Sequence, residues 1–195
     1  MEATKESMVG PEKAPYDIPD DKLELVEGEH PDTFRKAIKF ISETGVPFKH
    51  FSHKPVRTSA EAAEERGVEM GSGAKALLVK YAGKNCGSGY ALLVMSAVRK
   101  VSWPEVKQFL GTSNVSFAKV EEVKKVTGCV PGAVPPIGSL FGVKTLLDPS
   151  LKTQGDIINF NIGLQSQSIT MNTQDYIKIE NPSEVNFTST NSPLN

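Results

Sequence analysis

The chain has 195 residues, 38% of them hydrophobic, which is enough for one well-packed core but not for two ordinary domains. Its net charge of −1 hides an asymmetry, because residues 1–31 carry nine acidic side chains against three lysines and the remainder carries fourteen acidic against nineteen basic ones. A mildly basic body suits a polyanionic partner, although this surplus also fits an ordinary surface. The sequence shows no leader and no apolar run near eighteen residues, so we expect a cytoplasmic protein without a membrane partner.

The cysteines and histidines argue against a metal centre. Cys86 and Cys129 are isolated from each other, and His30, His50 and His53 show no metal-ligand spacing with them. We therefore expect free thiols, no metal and no organic cofactor.

Residues 1–31 are polar and acidic and contain four prolines. This composition predicts a mostly irregular extension, followed by one domain over residues 32–181 and a polar tail over residues 182–195. From Asp32 the apolar residues recur at helical spacing until Gly45 and Pro47 end the run, which predicts a first helix.

The rest of the domain alternates short strands and short helices. Apolar runs at 74–81 and 90–95, separated by a Gly-rich turn, predict an antiparallel hairpin. Further helices are predicted over residues 58–67, 102–110, 121–127 and 173–179, and further strands over residues 48–51, 115–117, 143–148, 156–161 and 168–171. Without a regular βαβ repeat, the pattern favours an α/β fold with a mixed, strongly curved sheet or barrel flanked by short helices. A doubly wound parallel sheet is the alternative.

The segment from Thr127 to Gly138, here called the Gly/Pro loop, holds three glycines and three prolines in twelve residues. Glycine costs backbone entropy and proline lacks an N–H, so neither a helix nor a central strand is expected here. The loop has no charged residue, and a half-buried loop must satisfy its backbone polar groups. A bound ligand would do so, and a rigid structural turn is the alternative.

Lys75 is the one charged residue in the apolar run of residues 74–79. Either its ammonium reaches solvent from an edge strand, or it points into a functional site. The sequence has no Gly-x-Ser-x-Gly elbow, no phosphate-binding glycine motif and no cysteine with an evident histidine partner, so covalent catalysis is not expected.

Several short motifs follow one another in order along the chain: Phe51-Ser52-His53-Lys54-Pro55, Thr58 to Ala63, Lys75 to Leu78, Arg99 to Ser102, Thr127-Gly128, Gly132 to Pro136 with Gly138, Leu147 to Leu151, and Ile169. As a set they resemble the YbaK and prolyl-tRNA synthetase-associated editing domains. The resemblance covers about residues 32–181 and implies the fold of that family.

The resemblance also implies an activity. Members of the family look like deacylases that act in trans, or as part of a synthetase, on the ester of a mischarged tRNA. The implied substrate is a small amino acid, Ala, Cys or Ser, on the tRNA for proline. The implied partners are the 3′ end of an aminoacyl-tRNA and, as a second candidate, an aminoacyl-tRNA synthetase, and we expect a monomer.

Residue roles follow from the same resemblance. Lys75 resembles the lysine that clamps the terminal adenosine and its phosphate. Gly132 and Pro136 match the ends of a Gly-x-x-x-Pro loop whose backbone positions the aminoacyl group and the attacking water. The expected pocket wall comprises Ala133, Val134, Pro135, Asn161, Ser168 and His53. The bulk of Ala133 and Val134 would then limit the size of the aminoacyl side chain.

Two other functions remain open at this stage. A tRNA- or synthetase-binding module could keep the fold without hydrolysis, although an intact Lys75 and Gly/Pro loop favour an enzyme. An unrelated α/β hydrolase or small-molecule binding protein could use His53 as its base.

Overall fold

A computed structural model describes residues 5–8, 18–56, 59–67 and 69–189. The helices are α1 (Asp32–Thr44), α2 (Ser59–Arg66), α3 (Trp103–Leu110), α4 (Val120–Thr127) and α5 (Thr173–Glu180). The strands are β1 (Lys5–Met8), β2 (Phe48–Ser52), β3 (Ala74–Gly83), β4 (Gly87–Ser96), β5 (Lys100–Val101), β6 (Asn114–Phe117), β7 (Lys144–Leu147), β8 (Ile157–Asn161), β9 (Gln167–Asn172), β10 (Ser183–Glu184) and β11 (Thr188–Ser189). Thr58, the predicted start of the second helix, and residues 190–195 of the predicted tail lie outside the described residues.

The strands form two larger sheets and one two-stranded ribbon. The first sheet has the order β1-β2-β9-β8, the second has the order β10-β7-β4-β3-β6, and β5 pairs with β11. The predicted hairpin is confirmed, since β3 and β4 pair antiparallel along their whole length, and β6 lies at the edge of its sheet. Both antiparallel and parallel pairs occur, the latter between β7 and its neighbours β4 and β10. This confirms the predicted mixed α/β class.

The second sheet is buried on both faces, as the alternation along β4 shows. Leu92 and Val94 belong to the main core, which also takes in Phe34, Ile38 and other apolar residues of α1. Ala91, Leu93 and Met95, which point to the opposite face, belong to a smaller cluster closed by Val106 and Phe187. The sheet is therefore rigid at its centre, and its neighbour β8 is held against that rigid frame by an isolated parallel bridge between Gly73 and Asn159.

Residues 18–31, which fall within the predicted extension, contain little regular structure but contact the domain closely. Leu23 is buried in the main core. The carbonyl of Glu24 accepts a hydrogen bond from Ser166 Oγ at 2.7 Å, and the Glu29 carboxylate accepts one from the Gln165 N–H at 2.7 Å. Strand β1, which the sequence pattern did not predict, pairs antiparallel with β2.

The N-terminal turn of α1 packs against two later segments that flank the Gly/Pro loop. Gly163 adopts φ +90°, and a Cβ at this position would lie 2.4 Å from the backbone N of Phe34. Thr33 Oγ1 donates to the Thr127 carbonyl at 2.7 Å, at the point where α4 ends and the loop begins. The position of the loop is therefore fixed by a helix of the core.

Candidate functional site

Four carbonyl groups of the Gly/Pro loop accept hydrogen bonds from other parts of the protein. Three donors come from residues 161–165, here called the anchoring segment, which joins β8 to β9. They are Gln165 Nε2 to Pro131 O at 3.0 Å, Asn161 Nδ2 to Gly132 O at 2.9 Å, and Gly163 N to Ala133 O at 2.9 Å. A fourth bond runs from the fully buried Tyr176 Oη to Pro136 O at 2.7 Å. The loop backbone is consequently held in a single frame.

The N–H groups of the same loop differ from its carbonyl groups in their hydrogen bonding. Proline residues have none, and the N–H of Ala133 donates to Val130 O at 3.1 Å. Among the described residues, the N–H groups of Gly132 and Val134 donate to no acceptor. Gly132 is exposed and has φ +89°, a conformation that glycine adopts most easily. Backbone N–H groups with no protein acceptor are donors that a carbonyl oxygen or an oxyanion of a ligand can use.

Three of the predicted site residues form one hydrogen-bond chain that ends on the loop. His53 Nε2 lies 2.5 Å from Ser168 Oγ, and Ser168 Oγ lies 3.0 Å from Asn161 Oδ1. Asn161 Nδ2 in turn donates a hydrogen bond to the carbonyl of Gly132. His53 and Ser168 are buried, so the chain runs from the interior to the exposed glycine.

Donor and acceptor chemistry fixes the direction of two bonds in this chain. The Gly132 carbonyl only accepts, so Asn161 presents its NH₂ to the carbonyl and its Oδ1 to Ser168. Ser168 Oγ therefore donates to Asn161 Oδ1. Both ring nitrogens of His53 are engaged, since Nδ1 lies 2.8 Å from the carbonyl of Lys54 and Nε2 faces Ser168 Oγ.

Lys75 is half-buried at the start of β3, with its ammonium turned to the turn that follows β4. Nζ donates to Ala97 O at 3.0 Å and to Arg99 O at 2.5 Å. Burial, and secondarily the charge of Lys100, lower the pKa of Lys75. An ammonium has three N–H donors, and these two carbonyl groups use two of them.

The backbone brings the strand of Lys75 alongside the strand of Asn161. The parallel bridge pairs Gly73 with Asn159, and Lys75 and Asn161 each lie two residues further along their strands. Lys80, which the period-2 pattern places on the other face of β3, is exposed and forms an ion pair with Glu122 at 2.6 Å.

The side chains of the Gly/Pro loop face the interior. Ala133 is fully buried and Val134 is 7% exposed, and both belong to the main core; Pro135 and Pro136 are buried as well. The methyl group of Ala133 is buried in the main core, and the expected pocket wall that includes Ala133 stays a prediction. An apolar side chain gains more from burial in the core than from lining a hydrated surface.

The exit of the loop is fixed by a carboxyl group that the sequence analysis did not single out. Glu180 is buried at the end of α5 and accepts bonds from the Ser139 N–H at 3.2 Å, from Ser139 Oγ at 2.6 Å and from Thr145 Oγ1. Burial raises the pKa of Glu180, and these hydrogen bonds oppose that rise. Glu180, Tyr176 and Gln165 all lie far from the loop in sequence, so no local pattern predicts their contact with it. Only Gly163, a lone glycine just after a predicted strand, is a local indication of a close contact.

Within the described ranges, no group of three or more His, Cys, Asp or Glu side chains could hold a metal ion. Burial raises the pKa of the Cys129 thiol to about 11, with smaller opposing contributions from its hydrogen bonds. In the same part of the chain, no helix has the length and apolar character needed to cross a bilayer.

The fold has relatives among solved structures. A protein proposed to be a trans-editing enzyme for prolyl tRNA synthetase shares the fold with a TM-score of 0.69 at 20% sequence identity, over 85% of this chain and 99% of that one. The small mixed α/β domain described here is therefore a fold that this protein shares.

The sequence comparisons define the family. The model of the aminoacyl-tRNA editing domain matches residues 53–179, and the chain belongs to this family. The multifunctional Ser/Thr-tRNA deacylase ProXp-y of Escherichia coli (strain K12) is 33% identical over 158 residues, which cover 81% of this chain and 94% of that protein. The proline–tRNA ligase of Bacillus licheniformis is 26% identical over 173 residues, or 83% of this chain and 28% of the ligase.

His50 lies beside this site and predicts a pH dependence of stability. Its Nε2 lies 2.8 Å from Gln167 Oε1, and its ring is buried 5.8 Å from that of Phe34. Burial, and to a smaller extent the charge of His53, lower the pKa of His50 from 6.5 to about 4, although the bond to Gln167 opposes the shift. His50 is thus neutral in the folded protein at neutral pH.

Between pH 6.5 and 4 the unfolded chain binds a proton at His50 that the folded protein does not bind. We therefore expect the free energy of unfolding to fall as the pH falls through this window, by about 3 kcal/mol in total from this group. Urea unfolding at pH 7 and pH 4.5 measures the effect, with His50→Gln as the variant that lacks the titrating ring. Parallel pH profiles for the two proteins would contradict the assignment.

Proposed function

We propose that the protein is an aminoacyl-tRNA deacylase that acts in trans and hydrolyses the ester between a small amino acid and the 3′ end of a tRNA. The single observation that carries the proposal is the hydrogen bonding of the Gly/Pro loop. Its carbonyls accept bonds from the anchoring segment, while the N–H groups of Gly132 and Val134 have no acceptor among the described residues. The ester carbonyl of the substrate is the acceptor that this loop fits. Membership of the editing-domain family supports the same reaction.

The reaction needs little more than orientation and stabilisation of charge. Water attacks the carbonyl carbon and forms the new C–O bond, while charge develops on the carbonyl oxygen and is stabilised by the two N–H donors. The bond from carbon to the ribose oxygen then breaks, and the proton lost by the water ends on that ribose oxygen. Because the ester is already an activated acyl group, positioning accounts for much of the rate.

In this mechanism Asn161, Ser168 and His53 are positioning residues. They hold the carbonyl of Gly132 and so position the adjacent N–H groups, and His53 is the buried residue at the start of the chain. Lys75 has one N–H beyond the two that bind Ala97 O and Arg99 O, and this donor is suited to the terminal nucleotide or its phosphate.

The proposed substrate is a tRNA carrying Ser, Ala or Cys, with the tRNA for proline as the carrier. The curated relative in E. coli is a Ser/Thr-tRNA deacylase, which supports serine in particular. The similarity to part of a proline–tRNA ligase supports a link to the proline system. A synthetase active site discriminates poorly between side chains that differ by one small group, so a second hydrolytic site adds the missing selectivity.

A binding module without hydrolysis is the second candidate. The excess of basic over acidic side chains in residues 32–195 would suit such a binding module equally well. A binding module would not need N–H groups without an acceptor in the loop.

A deacylation panel separates these functions. The purified chain is incubated with tRNAs charged with Ala, Cys, Ser, Thr and Pro, and the ester remaining is measured over time against the spontaneous rate. We expect accelerated loss of at least one of the Ser, Ala and Cys esters, while the prolyl ester of its own tRNA survives. Survival of every ester at its spontaneous rate would leave the binding module as the better account.

A second prediction concerns Lys75. Lys75→Ala should reduce the rate of deacylation by about a hundredfold or more, since a charged donor at the reacting end of the substrate is lost. The matched control is Lys80→Ala, which removes an exposed lysine of the same strand and should change the rate far less. Both variants are checked by thermal unfolding, because Lys75 also holds two backbone carbonyls. Equal rates of deacylation for the two folded variants would show that Lys75 has only a structural role.

A further inference from the structure

A cavity of about 410 Å³ lies between the beginning of α1 and the end of α4. Its size falls in the range of sites for small ligands or parts of larger ones. It is here called the basic cavity, and its lining includes three lysines, His30, Asp32 and a patch of apolar side chains: Lys36, Lys124, Lys125, Val126, Leu140 and Phe141.

The charge of this cavity is not neutralised within the protein. Among the described residues, none of the three lysines has a carboxylate within 4 Å, in contrast to Lys80 and Lys152, which form ion pairs. The one acidic residue of the lining, Asp32, lies 3.3 Å from His30 Nδ1. With His30 neutral, the lining carries two net positive charges around one concavity.

The helix dipole explains only part of this arrangement. Lys124 and Lys125 lie in the last turn of α4, where cations are favourable. Lys36 lies in α1 near its N-terminal end, where a cation gains nothing from the dipole. The end of α4 is also capped already, since Lys124 O accepts from the Gly128 N–H at 2.9 Å and Thr127 O accepts from Thr33.

Backbone donors point to the same kind of ligand. Pro31, the N-cap of α1, supplies no side-chain hydrogen bond to the helix. The N–H groups of Asp32 and Thr33, both in the lining, have no acceptor in the part of the chain that the structure describes. Free N–H groups at a helix start together with lysines from two helices favour a phosphate-type anion.

The basic cavity is close to the proposed catalytic loop. Gly128 lines the cavity and precedes Gly132 by four residues, so the two lie within about 14 Å of each other by the reach of the chain. If the 3′ end of a nucleic acid strand lies at Gly132, the phosphates that precede it along the strand lie at distances of this order from Gly132. The apolar patch around Phe141 offers a surface for a sugar or base next to the phosphate.

We propose that the basic cavity binds a phosphodiester group of the tRNA strand that leads to the 3′ end, one or more nucleotides before the esterified one. This inference rests on the proposed function. A free phosphate or nucleotide has the same chemistry, so the experiment must separate the two sources.

The test compares two substrates and two double variants. Seryl-tRNA carries the upstream phosphates, whereas 3′-seryl-adenosine carries the same ester without them. Lys124→Ala/Lys125→Ala removes cavity charge, and Lys84→Ala/Lys178→Ala removes the same charge at exposed positions outside it. For the cavity variant we expect kcat/KM on seryl-tRNA to fall by about tenfold or more, mainly through KM, and to fall much less on the adenosine ester. Its rate on tRNA should also depend less steeply on salt, by about one unit of the log–log slope.

Other results overturn the inference. Equal losses for the two variants, or equal losses on the two substrates, would show that the cavity makes no special contact with the strand. If the wild-type chain hydrolyses neither substrate, the proposed function fails, and binding is then measured alone by NMR titration with tRNA and with inorganic phosphate. Shifts of the Asp32 and Thr33 amides with tRNA that the cavity variant abolishes support the inference, and shifts with phosphate alone assign the cavity to a free anion.

Discussion

The site depends on one constraint, which is that four carbonyl groups of the Gly/Pro loop are held by hydrogen bonds. Pro131 O, Gly132 O and Ala133 O accept from the anchoring segment, and Pro136 O accepts from Tyr176. The N–H groups of Gly132 and Val134 are among the loop donors with no acceptor in the described residues. Because Gly132 is exposed, a ligand can reach this part of the loop.

The rest of the structure supports this constraint from several directions. The start of α1 packs so closely on Gly163 that no side chain fits there, which fixes the anchoring segment against the core. Glu180 holds the exit of the loop through Ser139 and Thr145. The chain from His53 through Ser168 and Asn161 connects the interior to Gly132. The geometry of the loop and core packing are therefore coupled, and a core substitution in α1 would disturb the loop without contacting it.

Local patterns in the sequence predict the parts of the fold that local forces determine. The helix from Asp32, the β3–β4 hairpin, the strand β6 and the last helix, α5, follow from periodicity and turn residues. The pairing of β1 with β2 and the burial of Leu23 depend on long-range contacts, which no local pattern encodes. The candidate site shows the same difference. Composition and the family resemblance identified the Gly/Pro loop, whereas its donors Gln165 and Tyr176 are recognised only when distant segments meet in the fold. The burial of Ala133 in the core likewise depends on packing, because no periodic pattern determines side-chain direction in a loop.

In the proposed mechanism the N–H groups of Gly132 and Val134 bind the ester carbonyl, and an NMR titration detects this contact. The ¹⁵N-labelled protein is titrated with the 3′-amide analogue of seryl-adenosine, in which the scissile ester is replaced by a bond that the enzyme does not cleave. We expect saturable downfield shifts of the Gly132 and Val134 amide protons, larger than those of Ala133, whose N–H is already bonded to Val130. Saturable binding that leaves both amides unshifted would contradict it.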